Sequence, residues 1–129
     1  MSRPTLGPVT LINAASMTAD VYGTIQLANL SMASFTISWT GSPTGTLTVE
    51  GCNDAVMQVN GTIVAGSGTW EALPFTNSSG SVVTSLSTGG TSGAGLIALS
   101  QIPTAYLRLH YNHVSGTGSL TAVAYAKVE

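Results

Sequence analysis

Phe35-Thr36-Ile37-Ser38-Trp39-Thr40-Gly41-Ser42-Pro43-Thr44-Gly45-Thr46-Leu47-Thr48-Val49-Glu50 decides the fold class. From Ser34 to Thr40, Phe35, Ile37 and Trp39 fall on one side, while Ser34, Thr36, Ser38 and Thr40 fall on the other. That two-residue period belongs to a half-buried strand. Gly41 to Gly45 is a turn by composition, and beyond it Leu47 and Val49 point inward while Thr46, Thr48 and Glu50 point outward. The arrangement returns near the C-terminus. Leu107, Leu109 and Tyr111 alternate with Tyr106, Arg108, His110 and Asn112, and Ser115-Gly116-Thr117-Gly118 leads into a strand from Leu120 to Val128. Each pair reads as a hairpin. Thr44-Gly45-Thr46-Leu47-Thr48 is echoed by Thr117-Gly118-Ser119-Leu120-Thr121, although a single echo does not make a repeat architecture.

Working outward, weaker strands are predicted at Val9–Ile12, Val21–Leu27, Thr69–Leu73, Val82–Leu86 and Leu96–Leu99. No segment sustains a capped helical period. About nine or ten short strands separated by turn signals predict a single all-β domain, an antiparallel β-sandwich of jelly-roll-like or Greek-key type, with a closed barrel as the alternative. Its core is expected from Phe35, Ile37, Trp39, Leu47, Val49, Leu107, Leu109 and Tyr111. The domain is expected over residues 9–129. Residues 1–8, with Pro4, Gly7 and Pro8 and few apolar anchors, suit an extended arm. Residues 55–66 hold Asn60-Gly61 between two β-prone runs, a strong hairpin signal where a simple loop would do, and are read as an inserted, projecting hairpin. Asn77 to Gly95 is read as a long Ser/Thr/Gly loop with one edge strand in it.

The 129 residues fit one domain, and 43% of them are apolar, but only 6% are charged, against about 25% in ordinary soluble domains. Hydroxyls and glycines supply the polarity instead. Such a surface is suited to packing against copies or partners, where every buried charge would need pairing; the plainer alternative is a neutral extracellular β-domain. Three basic residues give no footprint for nucleic acid and no polybasic membrane anchor. No apolar run approaches the length of about 20 residues that a spanning helix needs. Met1-Ser2-Arg3-Pro4-Thr5 lacks the long apolar run of a secretory signal, and one cysteine, Cys52, cannot form an internal disulfide. Folding in a reducing cytoplasm is therefore expected.

The search for chemistry ends without a catalytic, cofactor or metal set. His110 and His113 sit at i and i+3, which on a strand face opposite ways, so two solvent-facing or interface histidines are expected. No nucleophile elbow and no phosphate loop is present; Gly90-Thr91-Ser92-Gly93-Ala94-Gly95 has the wrong spacing for either. The chain is not expected to be an enzyme. Cys52 reads as a small packing residue. Asn53-Asp54 suits either a calcium-ligating loop or an Asx-type turn. Trp39 shares a face with Phe35 and Ile37 and reads as core, so Trp70 is the better candidate for exposure, as in a sugar-stacking platform. The candidate partner contacts are Val56, Met57, Val59, Asn60, Ile63 and Trp70, because exposed apolar clusters mark contacts.

The run from Phe35 to Asp54 resembles a pattern common in small structural proteins of tailed bacteriophages. There a Trp-Thr-Gly-x-Pro-x-Gly-Thr turn leads to a strand ending in Ser-Asn-Asp, followed by a Trp after a short loop. Tyr106, Arg108 and Tyr111, then Ser115-Gly116-Thr117-Gly118-Ser119-Leu120, match its later part, and Trp70 stands in the expected place. The resemblance covers roughly residues 20–127. It implies a virion protein, either a capsid decoration (cement) protein or a tail or fibre module, made in the host cytoplasm. As a decoration protein it would be a homo-oligomer, expected to be a trimer, on the outer face of the major capsid protein; a receptor- or carbohydrate-binding module is the alternative. Two departures stand out: Cys52 replaces the usual Ser, and the Asn60-Gly61 hairpin intervenes before Trp70.

Overall fold

The computed structural model describes residues 5–26, 31–59, 63–64, 66–102 and 104–127. Among them the regular elements are β1 (Thr5–Ser16), β2 (Val21–Gln26), β3 (Met32–Gly41), β4 (Thr44–Cys52), β5 (Glu71–Leu73), β6 (Phe75–Thr76), β7 (Val82–Val83), β8 (Leu86–Ser87), β9 (Gly93–Leu99), β10 (Tyr106–Ser115) and β11 (Gly118–Lys127). One sheet has the order β1-β11-β3-β9-β6-β7. The other runs β2-β10-β4-β5, with β8 also paired to β4. Every pairing is antiparallel. The long strands alternate between the two sheets along the chain, which is the winding of a jelly roll. The protein is a single-domain β-sandwich, as its sequence period implies.

The two expected hairpins are arches instead. β3 and β4 lie in opposite sheets, and so do β10 and β11. Each turn carries the chain across the sandwich, and the partner of each strand comes from the other arch: Ile37 faces Ala122 and Val49 faces Leu109. Alternation fixes which side of a strand is buried but not whether its neighbour in sequence shares its sheet. Glycine makes the crossing possible. Gly41 has φ 87°, and a Cβ there would lie 2.6 Å from the Thr117 carbonyl oxygen. A side chain at Gly116 would run into the Ser42 carbonyl. The corners touch directly, the Ser42 amide donating to Thr117 O at 2.8 Å.

All eight expected core residues are buried, Trp39 at 7% exposure being the most accessible. Small residues on β11 make room for large ones on β3. Ala124 pairs with Phe35 and Ala122 with Ile37, so facing positions interdigitate without overpacking. Trp39 spans the core and ends in a polar contact, its Nε1 donating to Thr91 O at 2.8 Å.

Of the residues 1–8 expected as an arm, residues 5–8 lie in β1. β1 starts at Thr5, which pairs with Lys127, and Leu6 pairs with Ala126; residues 1–4 lie outside the described residues. Gly7 and Pro8 fall at a register shift between Leu6 and Val9. β1 is an edge strand, where a bulge and a missing N–H are tolerated, so Pro8 does not end the strand. The expected loop from Asn77 to Gly95 contains β7, β8 and the start of β9. At residues 55–66 the hairpin closes through one bridge, Met57 to Ile63, and through the Val64 amide donating to Val56 O at 2.8 Å. Asn60 and Gly61, its expected turn, lie outside the described residues.

Truncating Trp39 to Ala removes a buried ring and leaves the Thr91 carbonyl without its donor. The expected cost is about 3–5 kcal/mol, read as a lowered midpoint in denaturant or thermal unfolding. An unchanged midpoint would contradict the assigned core.

Candidate functional site

The outward row of β10 is Tyr106, Arg108, His110 and Asn112. Register sets Glu50 of β4 beside Arg108 and Thr48 beside His110. On the other flank it sets Thr24 of β2 beside Arg108 and Tyr22 beside His110. The polar groups link into one chain. Arg108 Nη2 and Nε approach Glu50 Oε1 at 2.6 and 2.7 Å. His110 Nδ1 lies 3.3 Å from Glu50 Oε2, and its Nε2 lies 3.0 Å from Asp20 Oδ2. The other oxygen of Asp20 accepts the His113 amide at 2.9 Å. The His110 ring, then the His113 amide, hold the Asp20 carboxyl below its ordinary value.

Aromatic rings cover this chain. Tyr22 stacks on His110 with centroids 4.3 Å apart. The Arg108 guanidinium carbon lies 4.7 Å from the Tyr22 centroid and 4.4 Å from that of Trp70, within cation–π range of both. His110 is consequently buried, which corrects the solvent-facing alternative of the two expected for it, solvent-facing or interface. The two histidines do part as strand geometry demands: His113 makes an edge contact with Tyr111 instead.

Trp70 is returned to the sheet by a loop tied at both ends. Asp54 accepts from the Cys52 thiol at 3.0 Å, the Thr69 amide at 2.7 Å and the Thr69 hydroxyl at 3.0 Å. These three donors hold its pKa down at about 2, the thiol contributing most. Asn53 accepts the Ala105 amide at 2.8 Å. The dipeptide is thus a loop clamp, and among the described residues no three His, Cys, Asp or Glu side chains gather as a metal site. Ser67 accepts the Val56 amide at 3.0 Å and donates to Val64 O at 2.7 Å, and Trp70 Nε1 donates to Ser67 O at 3.0 Å. Gly68 permits the close fold-back, since a Cβ there would meet Cys52 Sγ at 2.6 Å. Cys52 is a buried packing residue.

The loop and sheet enclose a cleft of about 360 Å³, lined by Tyr22, Thr24, Ile63, Val64, Gly66, Ser67, Trp70 and Arg108. The structure therefore divides the sequence-predicted contacts. Ile63 and Trp70 line the cleft, Val56 and Val59 are exposed, and Met57 is half-buried in the bridge. Asn60 lies outside the described residues. Sequence reasoning missed Tyr22, Arg108, His110, Glu50 and Asp20 as a group. The outward period placed three of them singly, Glu50, Arg108 and His110, but nothing in the sequence specifies the pairing of β4 with β10 or of β2 with β10.

The opposite sheet has a different surface. Among the described residues its six strands carry one charge, Lys127 at the end of β11. Around Thr36, which pairs with Val123 on one side and Leu96 on the other, the outward rows are Ser, Thr, Ala, Val, Leu and Tyr. Leu96 and Tyr125 are exposed there.

No family model matches this chain, and no curated protein matches it. Among solved structures, its fold is similar to that of the SPBc2 prophage-derived protein YomS, with a TM-score of 0.56 at 13% identity over 97% of this chain and 96% of that one. A likeness at TM-score 0.41 and 13% identity relates 94% of this chain to 15% of the bacteriophage CBA120 tailspike protein 4 chain, solved as its enzymatically active domain. At these identities the first likeness shows a shared fold, and the second carries no argument.

The clamp at Asp54 has a pH signature. A carboxyl held near 2 when folded and near 3.9 when unfolded stabilises the fold above the unfolded value. That contribution is lost as pH falls through the folded one. Stability is expected to drop between about pH 4 and 2, with Asp20 contributing in the same direction. Asp54→Asn should flatten part of that drop, read from unfolding midpoints across the acid range. Equal slopes in both proteins would remove Asp54 from the account.

Proposed function

We propose that this chain is a structural protein of a bacteriophage particle, specifically a capsid decoration (cement) protein. It attaches as a homo-oligomer, expected to be a trimer, to the outer surface of the shell between major capsid protein subunits. The observation that carries this reading is the segregation of charge. One sheet face is almost free of ionised groups, whereas the other gathers Asp20, Glu50, Arg108 and His110. A face of hydroxyls and small apolar groups is easily desolvated and leaves no charge to be paired when a copy covers it. A fold shared end to end with a prophage-derived protein supports the phage setting, as does the resemblance of residues 20–127 to tailed-phage structural proteins. In this reading the six-stranded sheet packs on copies, and exposed Val56 and Val59 reach the shell. A second reading, a tail or fibre module that binds glycans, is favoured by one feature, the aromatic cleft.

Thr36→Lys places a charge at the centre of the uncharged face without touching the core. It should leave the unfolding midpoint nearly unchanged while dissociating the oligomer in light scattering. Replacing residues 55–66 by a short Gly-Ser linker should preserve folding and weaken attachment to particles. Stoichiometry separates the readings: hundreds of copies per particle for decoration, tens or fewer for a tail part. An oligomer indifferent to Thr36→Lys, or a low copy number, would overturn the decoration assignment.

A further inference from the structure

The cleft above Arg108 has the features of a ligand site rather than of a gap left by packing. Its floor is rigid. Arg108 is clamped by Glu50, Glu50 is shared with His110, and His110 lies under Tyr22. None of these side chains has to be ordered when a ligand arrives, which removes part of the entropic cost of binding. Its walls are aromatic and aliphatic. Tyr22 is 52% exposed although stacked on His110. Trp70 has its one donor satisfied by Ser67 O, so the indole offers carbon to the cleft. Ile63 and Val64 close the far side.

The polar groups choose the ligand. Glu50 occupies the side-on edge of the guanidinium, Nε and Nη2, and the end-on edge, Nη1 with the second Nη2 hydrogen, is not used by that pair. Thr24 adds a hydroxyl at the same rim. The charge of Arg108 is offset by Glu50, and Asp20 stands on the far side of His110. The site thus has no surplus positive charge, and a carboxylate, sulfate or phosphate would meet two acids close by. A ligand with an apolar ring face and uncharged hydroxyls at its edge satisfies every wall. We propose that this cleft binds neutral saccharides, seating roughly one or two sugar rings, as its volume near the lower end of ligand-site sizes allows. The sugar lies against Tyr22 and Trp70, and its hydroxyls accept from Arg108 and exchange hydrogen bonds with Thr24.

The test uses the isolated full-length chain and does not depend on particle attachment. Maltose, cellobiose, lactose and chitobiose are titrated while the backbone and indole N–H signals are followed by NMR, with sialyllactose and digalacturonate as charged counterparts. At least one neutral disaccharide should shift the Trp70 indole N–H and the Thr24 and Arg108 amides. Tyr22→Ala should weaken that binding by roughly tenfold or more, and Trp70→Ala should abolish it. Thr24→Val, which keeps the shape and removes the hydroxyl, should weaken it with the spectrum otherwise unchanged, so the proposal stays testable if an aromatic variant misfolds. Absence of shifts with all four neutral sugars, preference for the charged ones, or binding indifferent to Thr24→Val and Tyr22→Ala would each overturn it.

Discussion

The contact on which the rest of the sandwich depends is the interlock of two chain corners, residues 41–43 and 115–118. Each corner is held by the backbone of the other, Ser42 N on Thr117 O, with glycines at 41 and 116 because a side chain at either would strike a carbonyl. Other segments are tied to the same end. The Met17 amide donates to Gly118 O, bringing in the crossing from β1 to β2. The Gly90 amide and the Thr88 hydroxyl both reach Pro43 O, at 2.9 and 2.8 Å. This explains a buried threonine: the Thr88 hydroxyl donates to the Pro43 carbonyl in the crossing and lies 3.3 Å from the Gly45 carbonyl at the start of β4. Once the corners are fixed, the registers of β3 with β11 and of β4 with β10 follow, and with them the face on which every side chain lies.

Those registers give the two outer surfaces different properties from one shared interior. β10 contributes Leu107, Leu109 and Tyr111 to the core and Arg108 and His110 to the outside, so the strand that centres the polar stack also centres the apolar layer. A shift of one residue would exchange the two sets and bury an arginine. The salt-linked stack is thus coupled to core packing, and the charged face is as strictly registered as the buried one. The six-stranded sheet has no such constraint on its outer side. There hydroxyl and small apolar residues suffice for strand propensity, and the surface remains free for association. A jelly roll by itself assigns neither role.

The sequence shows the class of the fold plainly because alternation over Phe35–Trp39, Leu47–Val49 and Leu107–Tyr111 is a local signal, and all eight of those side chains are buried. Connectivity is a different kind of information. A Gly-Ser-Pro turn between two alternating runs serves a hairpin or an arch equally well, and only the partner strand, here more than fifty residues away, decides between them. Pro8 misleads for a related reason: it stops a central strand, but β1 lies at an edge with Gly7 and Pro8 in a bulge. The site was legible only in part. Trp70 stood out as the tryptophan that does not share a face with Phe35 and Ile37, and Asn53-Asp54 as either a calcium-ligating loop or an Asx-type turn. The Glu50–Arg108 pair joins strands separated by an insertion and a long loop, so no spacing rule could bring them together.

The insertion between Cys52 and Trp70 turns a polar sheet face into a cleft. Without it, β4 would run directly to the strand that follows, and the Arg108–Glu50 pair would face solvent, where such pairs contribute little. The loop instead lays Trp70 over Arg108 opposite Tyr22 and raises Ile63 and Val64 as a wall. Its anchors are short polar side chains, Asn53, Asp54, Ser67 and Thr69, all acting on neighbouring backbone or on one another. A hairpin held, among its described residues, by the Met57–Ile63 bridge is marginal alone in water. Here the clamp at its base and the indole on the guanidinium supply the missing stability at the foot, where the Val56 backbone is tied to Ser67 and Val64, while the side chains of Val56 and Val59 are left exposed. Anchoring residues and exposed valines of the insertion therefore answer to different constraints: changes at Asp54, Ser67 or Trp70 alter the cleft and the fold, and changes to the exposed side chains of Val56 and Val59 remove no packing from the core.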